Sequence, residues 1–446
     1  MKDMGESASY LDRTRLASVF AEAHPPLDHH PALVEASRCY FCYDAPCVEA
    51  CPTAINIPQF IRQIASGNLR GSAHTILAEN ILGGSCARVC PTEVLCQQAC
   101  VRNAEEGRPI EIGALQRHAT DWLMHHEPTP FTRAPTTGRR VAVVGAGPAG
   151  LACAHRLALH GHDAVIFDAK PKPGGLNEYG IAAYKLVDDF AQREVDFILS
   201  VGGVTIEHEK SLGSDFDLAS LRRTFDAVFL GLGLAGVRAL DALGETFAGV
   251  RDAVDFIAEL RQAGPDAPPT IGRRVVVIGG GNTAIDAATQ SRLLGAEEVT
   301  IVYRRGPEHM SATGKEQRWA QVNGVVIRHW ATPTRLLGSP AVTGVEFERT
   351  RADDAGRLTV TGERFVIEAD TVLKAIGQTF VPDPLRMPDG VALVVEEGRI
   401  RVDADRLTSI AGVYAGGDCV AGEDLTVRAV QDGKLAAEAI HRYLAG

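Results

Sequence analysis

Eight of the ten cysteines fall between Cys39 and Cys100, in the pattern Cys39-x2-Cys42-x4-Cys47-x3-Cys51 and then Cys86-x3-Cys90-x5-Cys96-x3-Cys100. Thiols this dense form either a disulfide framework or a metal site, and the rest of the chain decides which. That remainder carries two glycine-rich nucleotide motifs of a cytosolic type of enzyme, and disulfides are rare in the reducing cytosol. Metal ligation is the better reading. A [4Fe–4S] cube takes three ligands from a short loop and closes its fourth corner with a distant residue. Pro52 after Cys51 and Pro91 after Cys90 fit such loops, where proline turns the chain away. Eight soft thiolates without interleaved histidine could also hold two zinc ions. Iron–sulfur is preferred because redox clusters have a task beside nucleotide motifs, where zinc would be only structural.

The first motif is Arg140-Val-Ala-Val-Val-Gly145-Ala146-Gly147-Pro148-Ala149-Gly150. Its first glycine permits the turn, the second admits a pyrophosphate, and the third lets helix and strand touch. The helix N-terminus then offers unpaired N–H groups to the phosphates. Asp168 ends the next strand, placed to hydrogen-bond a ribose hydroxyl. FAD rather than NAD is indicated by Val413-Tyr-Ala-Gly-Gly417-Asp418 near the C-terminus. In flavoproteins of this type such an acid binds the ribityl chain, although Asp418 alone could be a turn residue. The helix beginning at Thr426 and Val427 would aim its positive end at the isoalloxazine ring.

The second motif, Arg274-Val-Val-Val-Ile-Gly279-Gly-Gly281-Asn282-Thr283-Ala284, puts alanine in the third glycine place. Its second strand ends at Tyr303 without an acid, followed by Arg304 and Arg305. Paired arginines suit the extra phosphate of NADP, but they could equally be solvated loop charges. NADH or NADPH is the expected co-substrate.

With 446 residues the chain has room for about three domains. The fold expected is α/β: a helical iron–sulfur domain followed by two Rossmann-like dinucleotide-binding domains, the second inserted into the first. The expected spans are 1–35 for a tail with one short helix interrupted at Pro25, Pro26 and Pro31, 36–130 for a double-cluster domain, 138–270 and 379–446 for the FAD domain, and 271–378 for the NAD(P)H domain. Ile57–Ile64 and Gly113–Leu123 read as helices, and Pro128, Pro130, Pro135 and Gly138 mark a linker. A net charge of −11 argues against nucleic acid as a partner. No apolar run approaches the roughly 18 residues of a membrane span, and Met1 to Phe20 lacks the apolar core of a signal peptide. A cytoplasmic protein is expected.

Asp44-Ala-Pro-Cys47, Ala50-Cys51-Pro-Thr53, Gly83-Gly-Ser-Cys86 and Cys90-Pro-Thr92, with Ile112-Gly-Ala-Leu-Gln116, resemble the amino-terminal half of dihydropyrimidine dehydrogenase. The resemblance runs from about Arg38 to the C-terminus. It implies one cluster on Cys39, Cys42, Cys47 and Cys100, and another on Cys51, Cys90, Cys96 and Gln116. Cys86 is then left over, whereas counting thiols alone would place four on each cluster. It also implies flavin contacts at Pro173-Gly-Gly175-Leu176 and Lys185, and a turn at Ala375-Ile-Gly377 lying against nicotinamide and flavin. That turn could also be an apolar return to the sheet.

An FMN-binding barrel needs roughly 250 residues, for which the chain has no room. The resemblance therefore implies a partner: the FMN- and iron–sulfur-containing catalytic subunit that reduces uracil or thymine, in a heterotetramer. No side chain is named as catalytic, because the cofactors carry the chemistry. The small subunit of glutamate synthase shares this architecture. The cysteine segments favour the pyrimidine family, as does Gly180-Ile-Ala182, where glutamate-synthase relatives usually read Gly-Ile-Pro. A non-catalytic redox sensor is a further alternative, opposed by two complete nucleotide motifs. Cys153 and Cys419 read as packing residues, and His24, His29, His30, His125 and His126 as solvated loop histidines.

Overall fold

The computed structural model describes residues 20–263, 269–353, 355–385 and 393–446. Any helix within residues 1–19 lies outside them. The chain divides into two compact units. The larger comprises His24–Glu178, Asp188–Gly236 and Thr379–Gly446; the smaller comprises Tyr179–Val187 and Val237–Gln378, with residues 20–23.

The larger unit begins with short helices. His29–Ser37 includes Pro31, which was expected to interrupt it. In the first turn of a helix the missing proline N–H has no partner to lose. Ile57–Ala65 starts on Asn56, whose side chain accepts the Gln59 N–H at 3.2 Å, and it buries Phe60, Ile61 and Ile64 completely. Leu69–Glu79 starts in the same way on Asn68, and Ile112–His126 covers the pair. His125 and His126 lie in the last turn of that helix, not in the linker, each ring bonded to a backbone carbonyl four residues back.

A five-stranded parallel sheet follows, in the order Val413–Ala415, Ala227–Leu230, Arg140–Val144, Asp163–Asp168, Val204–His208. Its C-terminal strand comes from beyond the second unit, so the second domain is inserted into the first. Val141, Ala142 and Val143 are fully buried, as a strand covered on both faces requires. Helix Pro148–Leu159 packs along the C-terminal helix Thr426–Ala445. Gly433 permits this, since a Cβ there would lie 2.1 Å from the Ala149 carbonyl oxygen.

The smaller unit holds a second parallel sheet, in the order Val250–Asp252, Thr371–Lys374, Arg274–Ile278, Glu298–Tyr303, Val326–His329. An antiparallel sheet of Ala331–Gly338, Val342–Ala352 and Leu358–Glu368 accompanies it. The units divide at Gly236 and Val237, not at the expected 270/271. The physical reason is pairing: Val250–Asp252 is hydrogen-bonded to Thr371–Lys374, and Phe256 and Ile257 fill the core of the second sheet. No described helix is long and apolar enough to cross a membrane.

Candidate functional site

Cys39, Cys42, Cys47 and Cys100 line one small cavity of about 20 Å³, walled by Pro46, Ile57 and Ile61. The segment bearing the first three, with Cys47 on the short helix Pro46–Glu49, thus meets the residue that starts helix Val101–Glu106, as one [4Fe–4S] ligand set requires. Burial first, then the neighbouring thiols of Cys100, Cys39 and Cys42, push the Cys47 thiol up to about 12. Cys90 and Cys96 are affected in the same way. Cys96 is pushed to about 12 by burial, then Cys51 and Cys47. Cys90 is raised by a hydrogen bond with Cys86, by burial, and by Cys96 and Cys51. Thiols that burial and crowding keep protonated become thiolates when a metal centre takes their protons, so this donor set fits the group.

Gln116 is buried and donates its amide N–H to the Gly83 carbonyl at 2.7 Å. Gly83 opens the helix Gly83–Val89, which runs directly into Cys90. The structure therefore brings both Gln116 and Cys86 to the second cysteine group. Among the described residues no three His, Cys, Asp or Glu side chains converge on a point as ligands of a single ion do.

In the first glycine motif, Gly145 has φ +103°, and a Cβ there would lie 2.2 Å from the Gly231 carbonyl oxygen. At Gly150 it would lie 1.9 Å from the carbonyl of Gly145. Gly147 is different: an added Cβ meets nothing closer than the Gly175 Cα at 3.8 Å. That open face is what a pyrophosphate needs. Asp168 is buried at its strand end, its oxygens accepting the N–H groups of Ala146 at 2.6 Å and Lys170 at 2.7 Å. Pro148 and Ala149 begin the helix, and Gly175 and Leu176 come from a loop tied back to the motif by the Gly174 N–H on the Ala146 carbonyl.

Asn177 follows that loop and was not singled out in the sequence. It is 2 % exposed, its Oδ1 accepts the Thr426 hydroxyl at 3.2 Å, and its Nδ2 has no partner among the described residues. An orphaned buried amide beside Thr426 and Val427 fits a polar ligand at this point. The only prior signal was its place directly after the glycine loop. On the same side, burial and then the Asp424 charge push the Asp418 carboxyl up to about 6. Gly417 donates its N–H to Asp432 at 2.9 Å. Cys153 and Cys419 are fully buried packing residues.

In the smaller unit Gly279 is pressed against the Ala375 carbonyl oxygen, which a Cβ would approach to 2.1 Å. Gly281 leads into helix Asn282–Leu293, with Asn282 and Thr283 in its first turn and Ala284 fully buried behind them. Tyr303 covers Gly280 with its ring and donates its hydroxyl to the His309 carbonyl at 2.7 Å. The Arg304 side chain is exposed and that of Arg305 half-buried, and neither guanidinium has a partner among the described residues. Gly377 turns the chain with φ +104°.

Lys185, expected at the flavin, is grouped with this unit. Its ammonium pairs with Asp286 at 2.7 Å and Glu316 at 2.9 Å, the lysine and Asp286 almost fully buried. Burial opposes its charge, but the two carboxylates outweigh it and raise its pKa. The physical reason for this placement is that Asp286, buried on the nucleotide helix, needs a counter-charge. Lys185→Met leaves that carboxylate unpaired and is expected to cost about 3–5 kcal/mol, read as a lower denaturation midpoint.

Comparison with known proteins agrees with this arrangement. A family profile described as "Dihydropyrimidine dehydrogenase domain II, 4Fe-4S cluster" matches residues 16–128, and one described as "Pyridine nucleotide-disulphide oxidoreductase" matches residues 139–433. The NAD-dependent dihydropyrimidine dehydrogenase subunit PreT of Salmonella typhimurium is 36% identical over 93% of this chain and 94% of its own length. The glutamate synthase [NADPH] small chain of Halomonas elongata is 34% identical over 97% of this chain and 94% of its own. Among solved structures, Mycobacterium tuberculosis FprA in complex with NADPH superposes with a TM-score of 0.57 at 21% identity, covering 70% of this chain and 85% of its own. At that identity it shows the fold alone. Fold and site define an NAD(P)H-dependent iron–sulfur flavoprotein oxidoreductase subunit. Within that class, the chain belongs to the family of the dihydropyrimidine dehydrogenase subunit PreT.

Proposed function

We propose that this chain is the electron-input subunit of a cytoplasmic dihydropyrimidine dehydrogenase. It oxidises NAD(P)H through FAD and passes electrons by way of two [4Fe–4S] clusters to an FMN- and iron–sulfur-containing, PreA-like partner. That partner reduces uracil or thymine to the 5,6-dihydropyrimidine, the two subunits forming a heterotetramer. When bound, the flavin takes electrons in pairs and the clusters release them singly.

The chain's own residues bind and orient. Gly145, Gly147 and Gly150 shape the phosphate turn, Asp168 fixes it, and Asn177, Asp418 and Thr426 offer polar groups to FAD. Gly279, Gly281, Asn282 and Thr283 receive the nicotinamide nucleotide, with Arg304 and Arg305 free for a ribose phosphate. Cys39, Cys42, Cys47 and Cys100 hold one cluster; Cys51, Cys90, Cys96 and Gln116 hold the other. The observation that carries this reading is the meeting of Cys39, Cys42, Cys47 and Cys100 around one cavity, in the unit that contains the first glycine motif.

The decisive experiment is anaerobic co-expression with an FMN-containing partner, followed by assay of uracil-dependent NADH oxidation. Turnover supports the reading; its absence with every pyrimidine opposes it. Near-complete alignment with a glutamate synthase small chain favours a second reading, which glutamate formation with that enzyme's large subunit would support. The ligand assignment has its own test. Gln116→Leu is expected to change one cluster's electron paramagnetic resonance (EPR) spectrum, while Cys86→Ser leaves both spectra intact. The reverse pattern would exchange their roles.

A further inference from the structure

Within the larger unit, the cysteine-bearing helices meet the flavin-type sheet domain along a seam with an acid in it. Glu194, on helix Phe190–Leu199, is 2 % exposed. Its Oε1 accepts the Ser85 backbone N–H at 2.9 Å, and its other oxygen accepts the Ser85 hydroxyl. Ser85 lies in the first turn of the helix that carries Cys86 and runs into Cys90, the turn Gln116 grips through Gly83. The seam is tight, since a Cβ at Gly84 would lie 2.6 Å from the Phe190 ring.

The charged groups around this acid are few. Arg88, on the cysteine-bearing helix, lies 3.6 Å from the Phe190 ring centroid and is held by both Asp121 oxygens at 2.8 Å. Asp121 also accepts from Arg117 at 3.1 Å. Arg193, on the helix of Glu194, lies 5.5 Å from the same ring. His155, on Pro148–Leu159, is kept neutral by burial, its pKa lowered to about 3. Burial pushes the Glu194 carboxyl up to about 7, against the pull of Ser85 and Arg88.

A carboxylate in a poorly solvated seam acts on a neighbouring redox centre over a distance that water would screen. We propose that Glu194 is a positioning residue that couples a proton to cluster reduction. It takes one proton from solvent when the cluster on Cys51, Cys90, Cys96 and Gln116 gains one electron, and no bond to the cluster is made or broken. The inference rests on the ligand set proposed above. Its sign follows from charge: an ionised Glu194 disfavours an added electron, and a protonated one does not. The cluster's potential is therefore high where Glu194 is neutral and falls as rising pH ionises it.

The test is an anaerobic potentiometric titration of the full chain, followed by EPR from about pH 6 to 9. One cluster should show a potential that falls through the neutral range, approaching a tenfold change in its reduction equilibrium per pH unit at the steepest, while the other changes less. Glu194→Gln keeps an oxygen for Ser85 and should hold the potential near its low-pH value throughout. Two intact clusters with pH-independent potentials would overturn the inference alone, as would an unchanged slope in Glu194→Gln. Should that variant lose a cluster, the native profile decides. A native chain lacking the second cluster, by iron and sulfide analysis, overturns the ligand set as well.

Discussion

Cys47→Ser is expected to leave the protein with about half its iron and only one of two cluster EPR signals. Serine offers a hard oxygen where the cube needs a soft thiolate, and Cys47 sits between Cys39, Cys42 and Cys100 with no spare thiol lining that cavity. Cluster binding is linked to folding, so helix Val101–Glu106, which starts at Cys100, should also become more susceptible to proteolysis. The second cluster should survive, because its ligands come from Cys51 and from the helices around Cys90 and Gln116. Iron analysis and EPR on dithionite-reduced protein check both halves. Loss of all iron would mean that the two sets are not independent.

The second large effect separates ligand binding from folding. Gly147→Ala should fold normally yet bind FAD about 10–100-fold more weakly, a loss of about 1.4–2.8 kcal/mol. Gly147 has φ −76°, which alanine adopts without strain, and its Cβ would meet only the Gly175 Cα at 3.8 Å. The methyl group would stand instead in the space the pyrophosphate needs. Gly150→Ala should fail differently. Its Cβ would lie 1.9 Å from a backbone oxygen, so helix and strand must part and the chain itself is destabilised. Flavin retained after gel filtration, set beside the melting curve, tells the two apart. Equal flavin retention in Gly147→Ala and the native chain would remove the phosphate from this turn.

Much of this architecture is legible in the sequence because its signals are local. The glycine turns follow apolar strands, and Asp168 and Tyr303 end the second strands where the count from the first glycine puts them. Cysteine spacing announces the cluster domain, although spacing alone divides the thiols four and four, and only family resemblance brings in Gln116. What the sequence conceals is long-range. Glu194 reaches Ser85 across 109 positions, and Lys434 holds Glu79 across 355; neither has a local pattern. The ion pairs of Lys185 are hidden for the same reason, since its partners Asp286 and Glu316 lie more than a hundred residues away. The boundary near 236 was invisible because Val250–Asp252 is a short strand defined only by its pairing.

The central claim is that thiolates of the amino-terminal half hold iron and sulfide in the unit that carries the flavin-type fold. Metal and acid-labile sulfide analysis of anaerobically prepared protein tests it most directly. About eight iron and eight sulfide per chain are predicted, four of each per [4Fe–4S] cluster. Two zinc ions with no sulfide would contradict it.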